Sequence, residues 1–330
     1  MRELYTDYMT KLQQQLKSSF PDYFFEFDVS MSKKTYFRIG GPAEVFIELD
    51  KKQQVQSLVK WCKDNNEKFI FFGGGSNVIV SDRGISGVVI KLTNSEIEFE
   101  KKELDSLEKA NITIGAGTKM PLAVKKTIDE GYTGLEYFLG VPGTIGGAIY
   151  NNAHYLEDLI GKHVSRVEIL NKDGEFQWLS HDECQFAYDY SRFQKTKEII
   201  FRVEFSLVKG DKEKSMALVR KATEYRAKTQ PLALPSSGCI FQNVPNNPKL
   251  REQFPLFAER QHVPGGFLID QAGLKGEHEG GIEVSDKHAA FFVNTGQGTA
   301  AEVKKLIFRV KSAVKNKFQV ELNEEVFWLE

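Results

Sequence analysis

The sequence has 330 residues, a length that predicts two domains, and its 41% hydrophobic and 27% charged residues are typical of a soluble globular protein. With 44 Lys and Arg against 45 Asp and Glu, the net charge of −1 argues against a general nucleic-acid-binding protein, although a local basic site stays open. Three scattered cysteines (Cys62, Cys184 and Cys239) and six histidines without metal-ligand spacing predict no disulfide framework, no metal site and a reducing compartment.

Residues 1–20 are predicted to form an amphipathic first helix. Tyr8, Leu12 and Leu16 are among the apolar residues that recur there at helical spacing, and charges occur throughout the segment. It therefore lacks the apolar core and the cleavage site of a signal peptide. No apolar run approaches the roughly 20 residues of a membrane span, so we expect a cytoplasmic protein without a membrane partner.

Strand and helix signals follow one another along the rest of the chain. The predicted strands are 43–49, 69–72, 87–92, 112–114, 164–170, 199–208, 289–293 and 320–322, and the predicted helices are 51–65, 121–130, 212–228 and 299–317. Thr299 and Glu302 form a capping box that opens the last helix. Residues before about 210 are strand-rich, and residues after 210 form two helices around a short sheet. Regular βα alternation is absent, so an α+β fold is predicted.

The first glycine-rich loop is Gly73-Gly74-Gly75-Ser76-Asn77, between two predicted strands. Consecutive glycines allow positive φ angles and let backbone amides converge on an anion, while Ser76 and Asn77 add side-chain donors. The loop has neither the Lys-Ser/Thr ending of a Walker motif nor a G-x-G-x-x-G fingerprint. A lone glycine triplet of this kind is more often a tight turn.

The second glycine-rich loop runs from Gly140 to Ala148 and contains Val141, Pro142, Gly143, Thr144, Gly146 and Gly147. Gly146 and Gly147 are predicted to start a helix whose free amides face a phosphate. The alternative is close backbone packing. Two such loops in one strand-rich half favour a diphosphate held from two sides, as in a dinucleotide.

Five segments resemble the UDP-N-acetylenolpyruvoylglucosamine reductase (MurB) family. They are Thr35–Ala43 (TYFRIGGPA), the two glycine loops, 266–276 (GFLIDQAGLKG) and 280–289 (GGIEVSDKHA). Flavin oxidases of the p-cresol methylhydroxylase type share the glycine loops, whereas the 266–289 block is far more specific to the reductase. The resemblance runs from about residue 28 onward, and the short spacing from Tyr188 to Cys239 is similar to the shorter, type II form.

The resemblance implies an α+β FAD-binding domain of the p-cresol methylhydroxylase/MurB type over residues 1–210, with subdomains at about 20–92 and 93–210. It also implies an α+β UDP-sugar domain over 211–318 and a tail, 319–330, that packs back near the active site. The implied cofactors are FAD and NADPH. The implied reaction reduces UDP-N-acetylglucosamine enolpyruvate to UDP-N-acetylmuramate for peptidoglycan synthesis, and we expect a monomer whose partner is this small molecule.

Such a reaction needs a donor or cation at the substrate carboxylate, a proton donor, and alignment of the alkene over the flavin. The resemblance places the proton donor at Cys239, where the family usually has serine, and a thiol also donates a proton. The alternative for Cys239 is a small core residue. Glu325 matches the family's C-terminal glutamate, as an acid or as a polariser of the acid, and only the resemblance distinguishes it from Glu324.

The expected cation departs from the family pattern. The usual Phe-x-Tyr-Arg-x-Ser motif reads Phe-Ala-Tyr-Asp-Tyr-Ser over residues 186–191, so Asp189 stands in place of the arginine that faces the substrate carboxylate. Arg192 shares a face with Asp189 if the segment is a helical turn. We expect Arg192 to replace the arginine and Asp189 to hold it in place. The alternative is a surface Asp–Arg pair in a weakened enzyme.

The remaining site candidates also come from the resemblance. Arg226 is expected on the flavin side, Asn243 matches a substrate position, and Tyr188 is expected to line the same pocket. Lys228 and Lys275 are candidates for the substrate diphosphate, with helix-end and turn-capping roles as their alternatives.

Two other functions stay open from the sequence. A flavin oxidase of the p-cresol methylhydroxylase type would keep the cofactor and act on another substrate. A flavin- or UDP-sugar-binding protein that has lost catalysis would account for Asp189.

Overall fold

The computed structural model describes residues 9–104, 107–155 and 158–330, and it divides into two compact units. Unit 1 comprises the residues up to Val29, Ala43–Gly74 and Ile85–Thr223, and unit 2 comprises Ser30–Pro42, Gly75–Gly84 and Glu224–Glu330. The division differs from the expected boundary at 210 in two ways. It falls within a helix, and two short N-terminal segments join unit 2.

The helices of the described residues are α1 (Lys11–Ser19), α2 (Lys52–Asp64), α3 (Met120–Asp129), α4 (Ile145–Asn151), α5 (Phe193–Thr196), α6 (Lys212–Thr229), α7 (Pro248–Gln253), α8 (Gly265–Gln271) and α9 (Ala300–Phe318). The strands are β1 (Glu26–Ser30), β2 (Pro42–Leu49), β3 (Phe69–Phe72), β4 (Val78–Val80), β5 (Ile85–Leu92), β6 (Ile97–Leu104), β7 (Leu107–Gly115), β8 (Tyr132–Thr133), β9 (His154–Tyr155), β10 (Asp158–Leu159), β11 (Val164–Leu170), β12 (Phe176–Ser180), β13 (Ile199–Lys209), β14 (Val244–Pro245), β15 (His262–Val263), β16 (His278–Glu279), β17 (Ile282–Val284), β18 (Phe292–Asn294) and β19 (Phe327–Leu329).

Unit 1 is built on two sheets. The smaller sheet has the strand order β1-β2-β5-β3, with β2 and β3 parallel to β5. The larger sheet is antiparallel in the order β12-β11-β13-β7-β6, and β8 pairs with β13. The described part of the predicted first helix starts at Lys11, and Leu12 and Leu16 bury their side chains in the core of this unit. Residues 1–8 of that prediction lie outside the described residues.

Unit 2 combines small sheets with the long helix α9. An antiparallel sheet has the order β16-β17-β18, and β4 pairs in parallel with β19. The predicted capping box is confirmed, since Thr299 accepts from the Glu302 amide at 3.2 Å and Glu302 accepts from the Thr299 amide at 2.9 Å. Asp82 adds a second cap, because its two carboxylate oxygens accept from the first two amides of α9 at 2.8 and 2.9 Å.

The predicted strand at 320–322 is wrong. Val320 and Leu322 are buried in the core of unit 2, while the described chain there pairs as a strand only at β19. Their alternation with polar neighbours therefore reflects burial on one side of an extended segment rather than strand pairing. The predicted strand at 289–293 likewise begins only at Phe292.

None of the described helices combines the length and the apolar character that a bilayer crossing requires.

Candidate active site

In unit 1 the two glycine loops lie against each other. A Cβ atom on Gly74 would lie 2.4 Å from Gly143 Cα, and a Cβ atom on Gly73 would lie 3.1 Å from Thr144 Oγ1. A contact of 2.4 Å to backbone leaves no space for a side chain at Gly74. The sequence predicts that the two loops hold one diphosphate from two sides, but not that their glycines touch.

Within the described residues, the backbone amides of Gly74 and Gly143 donate no hydrogen bond. Backbone amides without partners, beside glycines that carry no side chain, are suited to the oxygens of a phosphate. The cradle therefore fits the diphosphate of a dinucleotide cofactor. Two residues precede Gly143 in the loop. Pro142 is exposed, and the Val141 amide donates to Phe138 O at 2.9 Å.

The prediction of free amides at the start of α4 is wrong. The first two amides of α4 donate to Thr118 O and Ala116 O at 2.9 Å each, and the third donates to the capping Thr144 Oγ1 at 3.4 Å. Gly146 is a glycine because a Cβ atom would lie 2.9 Å from Ala116 Cβ. Close backbone packing, the alternative, explains this part of the loop.

The rest of the first loop belongs to unit 2, where Asn77 is joined to the C-terminal tail. Gly75 has φ 68° and its carbonyl accepts from the Tyr36 amide at 2.9 Å. Ser76 follows and is half-buried. Asn77 Nδ2 donates to Glu325 O at 3.2 Å, and the carbonyl of Asn77 accepts from the Phe327 amide at 3.1 Å.

The two candidate acids of unit 2 lie on neighbouring extended segments. The carbonyl of Ile240 accepts from the Glu325 amide at 2.8 Å, and the amide of Ile240 donates to Ala290 O at 2.8 Å. Cys239 is half-buried, directly before Ile240, and Gly238 precedes it with φ 83°. The main chain thus places Cys239 next to the residue that bonds to Glu325.

The carboxylate of Glu324 is held by two side-chain donors. Glu324 is half-buried and accepts hydrogen bonds from Lys311 Nζ and, at 2.8 Å, from Trp328 Nε1. Burial raises the pKa of Glu324, but these donors outweigh it and hold that pKa below its usual value. Glu324 is therefore committed to a structural ion pair.

The other candidates of unit 2 hold different positions. Asn243 Oδ1 accepts from the Gly265 amide at 3.3 Å at the start of α8, and Lys275 is ion-paired with Asp270 at 2.8 Å. Lys228 is exposed and Arg226 is half-buried in the last turn of α6. His288 packs on Phe291 at 4.9 Å between ring centroids, and burial lowers its pKa.

The predicted pairing of Asp189 with Arg192 is wrong. Residues 187–190 form a tight turn closed by two hydrogen bonds between Ala187 and Tyr190, with Asp189 at φ 50°, so the segment is not a helical turn. The guanidinium of Arg192 instead lies 3.1 Å from the carboxylate of Glu198.

Asp189 pairs instead with His154, which the sequence analysis missed. The distance from His154 Nδ1 to Asp189 Oδ1 is 2.9 Å, and the imidazole lies 5.0 Å from the ring of Tyr188 between centroids. His154 is the third residue after the end of α4, and this position after a glycine-loop helix is the one signal that the sequence offers. Within the described residues, no three His, Cys, Asp or Glu side chains are grouped as a metal ion would need.

Two known domain families match this chain, one in each half. An FAD binding domain matches residues 43–180, and the C-terminal domain of UDP-N-acetylenolpyruvoylglucosamine reductase matches residues 230–329.

Curated relatives agree over nearly the whole length. The UDP-N-acetylenolpyruvoylglucosamine reductase of Halalkalibacterium halodurans is 36% identical over 90% of this chain and 91% of its own. Reductase 1 of that name from Bacillus anthracis is 35% identical over 91% of this chain and 92% of its own, and the Chlamydia felis reductase is 36% identical over 90% and 92%.

Solved structures confirm the fold class. The UDP-N-acetylenolpyruvylglucosamine reductase (MurB) of Thermus caldophilus aligns with a TM-score of 0.73 and 26% identity over 93% of this chain and all of its own. A VAO-type flavoprotein from Myceliophthora thermophila shares the fold alone, with a TM-score of 0.51 and 9% identity over 83% of this chain and 70% of its own. The α+β expectation is thus confirmed.

Proposed function

The chain belongs to the UDP-N-acetylenolpyruvoylglucosamine reductase family, and from this membership we propose that it reduces UDP-N-acetylglucosamine enolpyruvate to UDP-N-acetylmuramate for peptidoglycan synthesis. The observation that best supports this function is the hydrogen bond from the Glu325 amide to the carbonyl of Ile240, the residue that follows Cys239. The oxidase alternative is not favoured, because residues 230–329 match the reductase's own C-terminal domain.

The glycine-loop amides of unit 1 would hold FAD, which would supply the hydride chemistry between NADPH and the enolpyruvyl group of the substrate. We assign its diphosphate to the Gly74 and Gly143 amides in unit 1. Gly73, Gly75, Ser76, Asn77, Val141, Pro142, Thr144 and Arg226 stay predicted FAD ligands. The UDP-sugar is assigned to unit 2, where Asn243, Lys228 and Lys275 are the proposed substrate residues, and Tyr188 stays a proposed substrate residue in unit 1.

Cys239 is the proposed proton donor. Its thiol gives a proton to the carbon next to the reduced methylene, so the enolpyruvyl double bond becomes a saturated lactyl ether. Glu325 is proposed to polarise the thiol or to act as the acid itself. Glu324 does not serve here, because Lys311 and Trp328 hold its carboxylate.

The substrate carboxylate needs a cation or a donor. Arg192 stays the sequence-based candidate, although Glu198, whose side chain is 9% exposed, already neutralises its charge. Arg192→Ala tests that assignment, because a variant with wild-type turnover contradicts it.

We also place the enzyme in the cytoplasm as a monomer. None of its three cysteines forms a disulfide in the described chain, which suits a reducing compartment. Sedimentation of the purified protein tests the monomer.

The function is tested by an anaerobic absorbance titration of the purified protein. Wild type is expected to be yellow, to bleach with NADPH and to regain its colour when the enolpyruvyl sugar is added. A protein that bleaches but stays reduced with the sugar contradicts the substrate. A colourless protein that takes up no added FAD contradicts the cofactor assignment as well.

A further inference from the structure

The two glycine loops carry no positive charge of their own. Residues 72–78 (FGGGSNV) and 140–148 (GVPGTIGGA) contain no Lys, Arg or His. A diphosphate is anionic at neutral pH, and backbone amides offer it only partial charges. A cation beside the cradle formed by the Gly74 and Gly143 amides would strengthen its hold on FAD. Within unit 1, such a cation has to come from a neighbouring segment.

The segment that pairs with the second loop carries a cation, Lys119. The amide that follows Lys119 donates to Gly143 O at 3.1 Å, and the amide that follows Thr144 donates to Thr118 O at 2.9 Å. These two bonds enclose the antiparallel pair of Lys119 with Thr144. In a pair enclosed in this way, the Cα atoms lie about 4.5 Å apart and the two side chains lie side by side on one face.

This face is the one that meets the first loop. Thr144 Oγ1 would lie 3.1 Å from a Cβ atom on Gly73. The residues on either side of Lys119, Thr118 and Met120, are fully buried, whereas Lys119 is exposed. The Lys119 side chain therefore starts beside Thr144 on the side of the cradle and leads away from the core.

The main chain of Lys119 is fixed in this position. Lys119 is the N-cap of α3, and its carbonyl accepts from the Leu122 and Ala123 amides at 3.0 and 3.1 Å. Its ammonium, by contrast, forms no hydrogen bond or ion pair within the described residues. A lysine with a fixed main chain and an uncommitted ammonium is suited to a phosphate oxygen that arrives from solvent.

Lys91 also lies near the first loop, but it is already paired. It stands opposite Phe72, the residue before Gly73, in the pairing of β3 with β5. Its ammonium lies 2.7 Å from the carboxylate of Glu48. A lysine neutralised in this way attracts a phosphate less strongly than an unpaired one. Lys119 is therefore the better candidate of the two.

We propose that the Lys119 ammonium binds a phosphate oxygen of the FAD diphosphate and supplies the positive charge that the amide cradle lacks. This inference rests on the proposed function, because it takes FAD as the cofactor. Since Lys119 is exposed, salt is expected to weaken the contact. Lys119 contributes to the retention of FAD and transfers no proton in the reaction.

The test measures the release of FAD from the purified holoenzyme. The holoenzyme is diluted until released FAD does not rebind, and the rise of flavin fluorescence gives the release rate at low and at high KCl. Lys119→Gln is expected to release FAD about tenfold faster than wild type at low salt, the lower end of the range for a hydrogen bond to a charged group. High salt should narrow the difference, because it screens the charge in wild type.

Two further variants make the test specific to charge at this position. Lys119→Arg keeps the positive charge and is expected to retain FAD better than Lys119→Gln does. Lys125→Gln is the matched control, because it removes another exposed lysine further along α3. That variant is expected to release FAD at the wild-type rate and with the wild-type dependence on salt.

The outcomes separate this inference from the function on which it rests. If Lys119→Gln releases FAD as slowly as wild type at both salt concentrations, or if the Gln and Arg variants lose it equally, the inference is overturned and the cofactor assignment stands. An equal effect of Lys125→Gln or a larger one of Lys91→Gln also overturns it. If wild type carries no flavin and takes up none, the proposed function is overturned first.

Discussion

The side-chain amide of Asn77 donates to the main-chain carbonyl of Glu325 at 3.2 Å, across 248 residues of sequence. This bond connects the first glycine loop to the tail that carries a proposed catalytic carboxylate. The Glu325 amide in turn bonds to Ile240, next to Cys239. Within unit 2, a loop predicted to hold a cofactor and a segment predicted to deliver a proton therefore share one hydrogen-bonded framework.

Replacement of Cys239 is expected to affect reoxidation of the flavin by the sugar but not its reduction by NADPH. Cys239→Ala is expected to lower the rate of flavin reoxidation by the enolpyruvyl sugar about 10²- to 10⁴-fold, the usual contribution of general acid catalysis. Reduction of the flavin by NADPH should be unchanged, because it needs no protein proton at that carbon. Stopped-flow absorbance measures both rates. Cys239→Ser is the matched control, and an equal loss in the Ser and Ala variants would contradict the proton-donor role.

Alkylation distinguishes the three thiols. Burial raises the pKa of both Cys62 and Cys184 to about 12, which leaves little thiolate near neutral pH, whereas Cys239 is half-buried. We expect iodoacetamide to label one site on the native protein, and peptide mass spectrometry to locate it at Cys239. Bound UDP-N-acetylmuramate should slow the labelling. Labelling of Cys62 or Cys184 at a comparable rate would contradict the burial of these two thiols.

Gly74→Ala tests the contact between the glycine loops. Its Cβ would lie 2.4 Å from Gly143 Cα, so the loops must separate, and FAD is expected to be lost or held much more weakly. The measurement is the ratio of flavin to protein absorbance after gel filtration. Gly296→Ala is the control, because a Cβ there meets nothing within 4 Å. A Gly74→Ala protein with full flavin content would contradict this explanation.

Asp82 stabilises unit 2 through the start of α9. Its carboxylate accepts from two helix amides, and loss of such a cap costs about 1 kcal/mol, up to about 2. Asp82→Ala is therefore expected to lower the free energy of unfolding in urea by that amount, while Asp22→Ala, at an exposed aspartate, should change it little. Equal effects of the two substitutions would remove the capping explanation.

The buried His288 makes stability depend on pH. Burial lowers its pKa from the ordinary 6.5, so the unfolded chain binds a proton more readily than the folded one. Stability therefore rises with pH up to about 6.5 and falls as the pH drops through the window below it. We expect His288→Gln to lose less stability than wild type between pH 7.5 and pH 5.5 in urea unfolding. Identical losses would contradict a buried neutral imidazole.

Local patterns predict most of the elements. The strand predicted at 199–208 and the capping box at Thr299 are visible in a few consecutive residues, and both are confirmed. The strand predicted at 320–322 fails because one-sided burial and strand pairing leave the same alternation in a sequence.

Contacts between distant residues are harder to predict. The sequence predicts that both glycine loops hold one diphosphate, but it does not show that the first amides of α4 are already bonded. It also places Asp189 beside Arg192 in sequence, whereas the turn directs that carboxylate to His154, 35 residues earlier. Neither partner carries a local signal of the other, so only the folded chain identifies the pair.

The parallel pairing of β4 with β19 has a consequence for biosynthesis. β4 leaves the ribosome long before residues 327–329, and unit 2 gathers its segments from residues 30–42, 75–84 and 224–330. The segment behind the first glycine loop must therefore wait, without its strand partner, until nearly all of the 330 residues have been translated. Unit 1, whose described segments end at Thr223, is complete earlier, so a nascent chain acquires its first glycine-loop contacts before the framework around Glu325 can close.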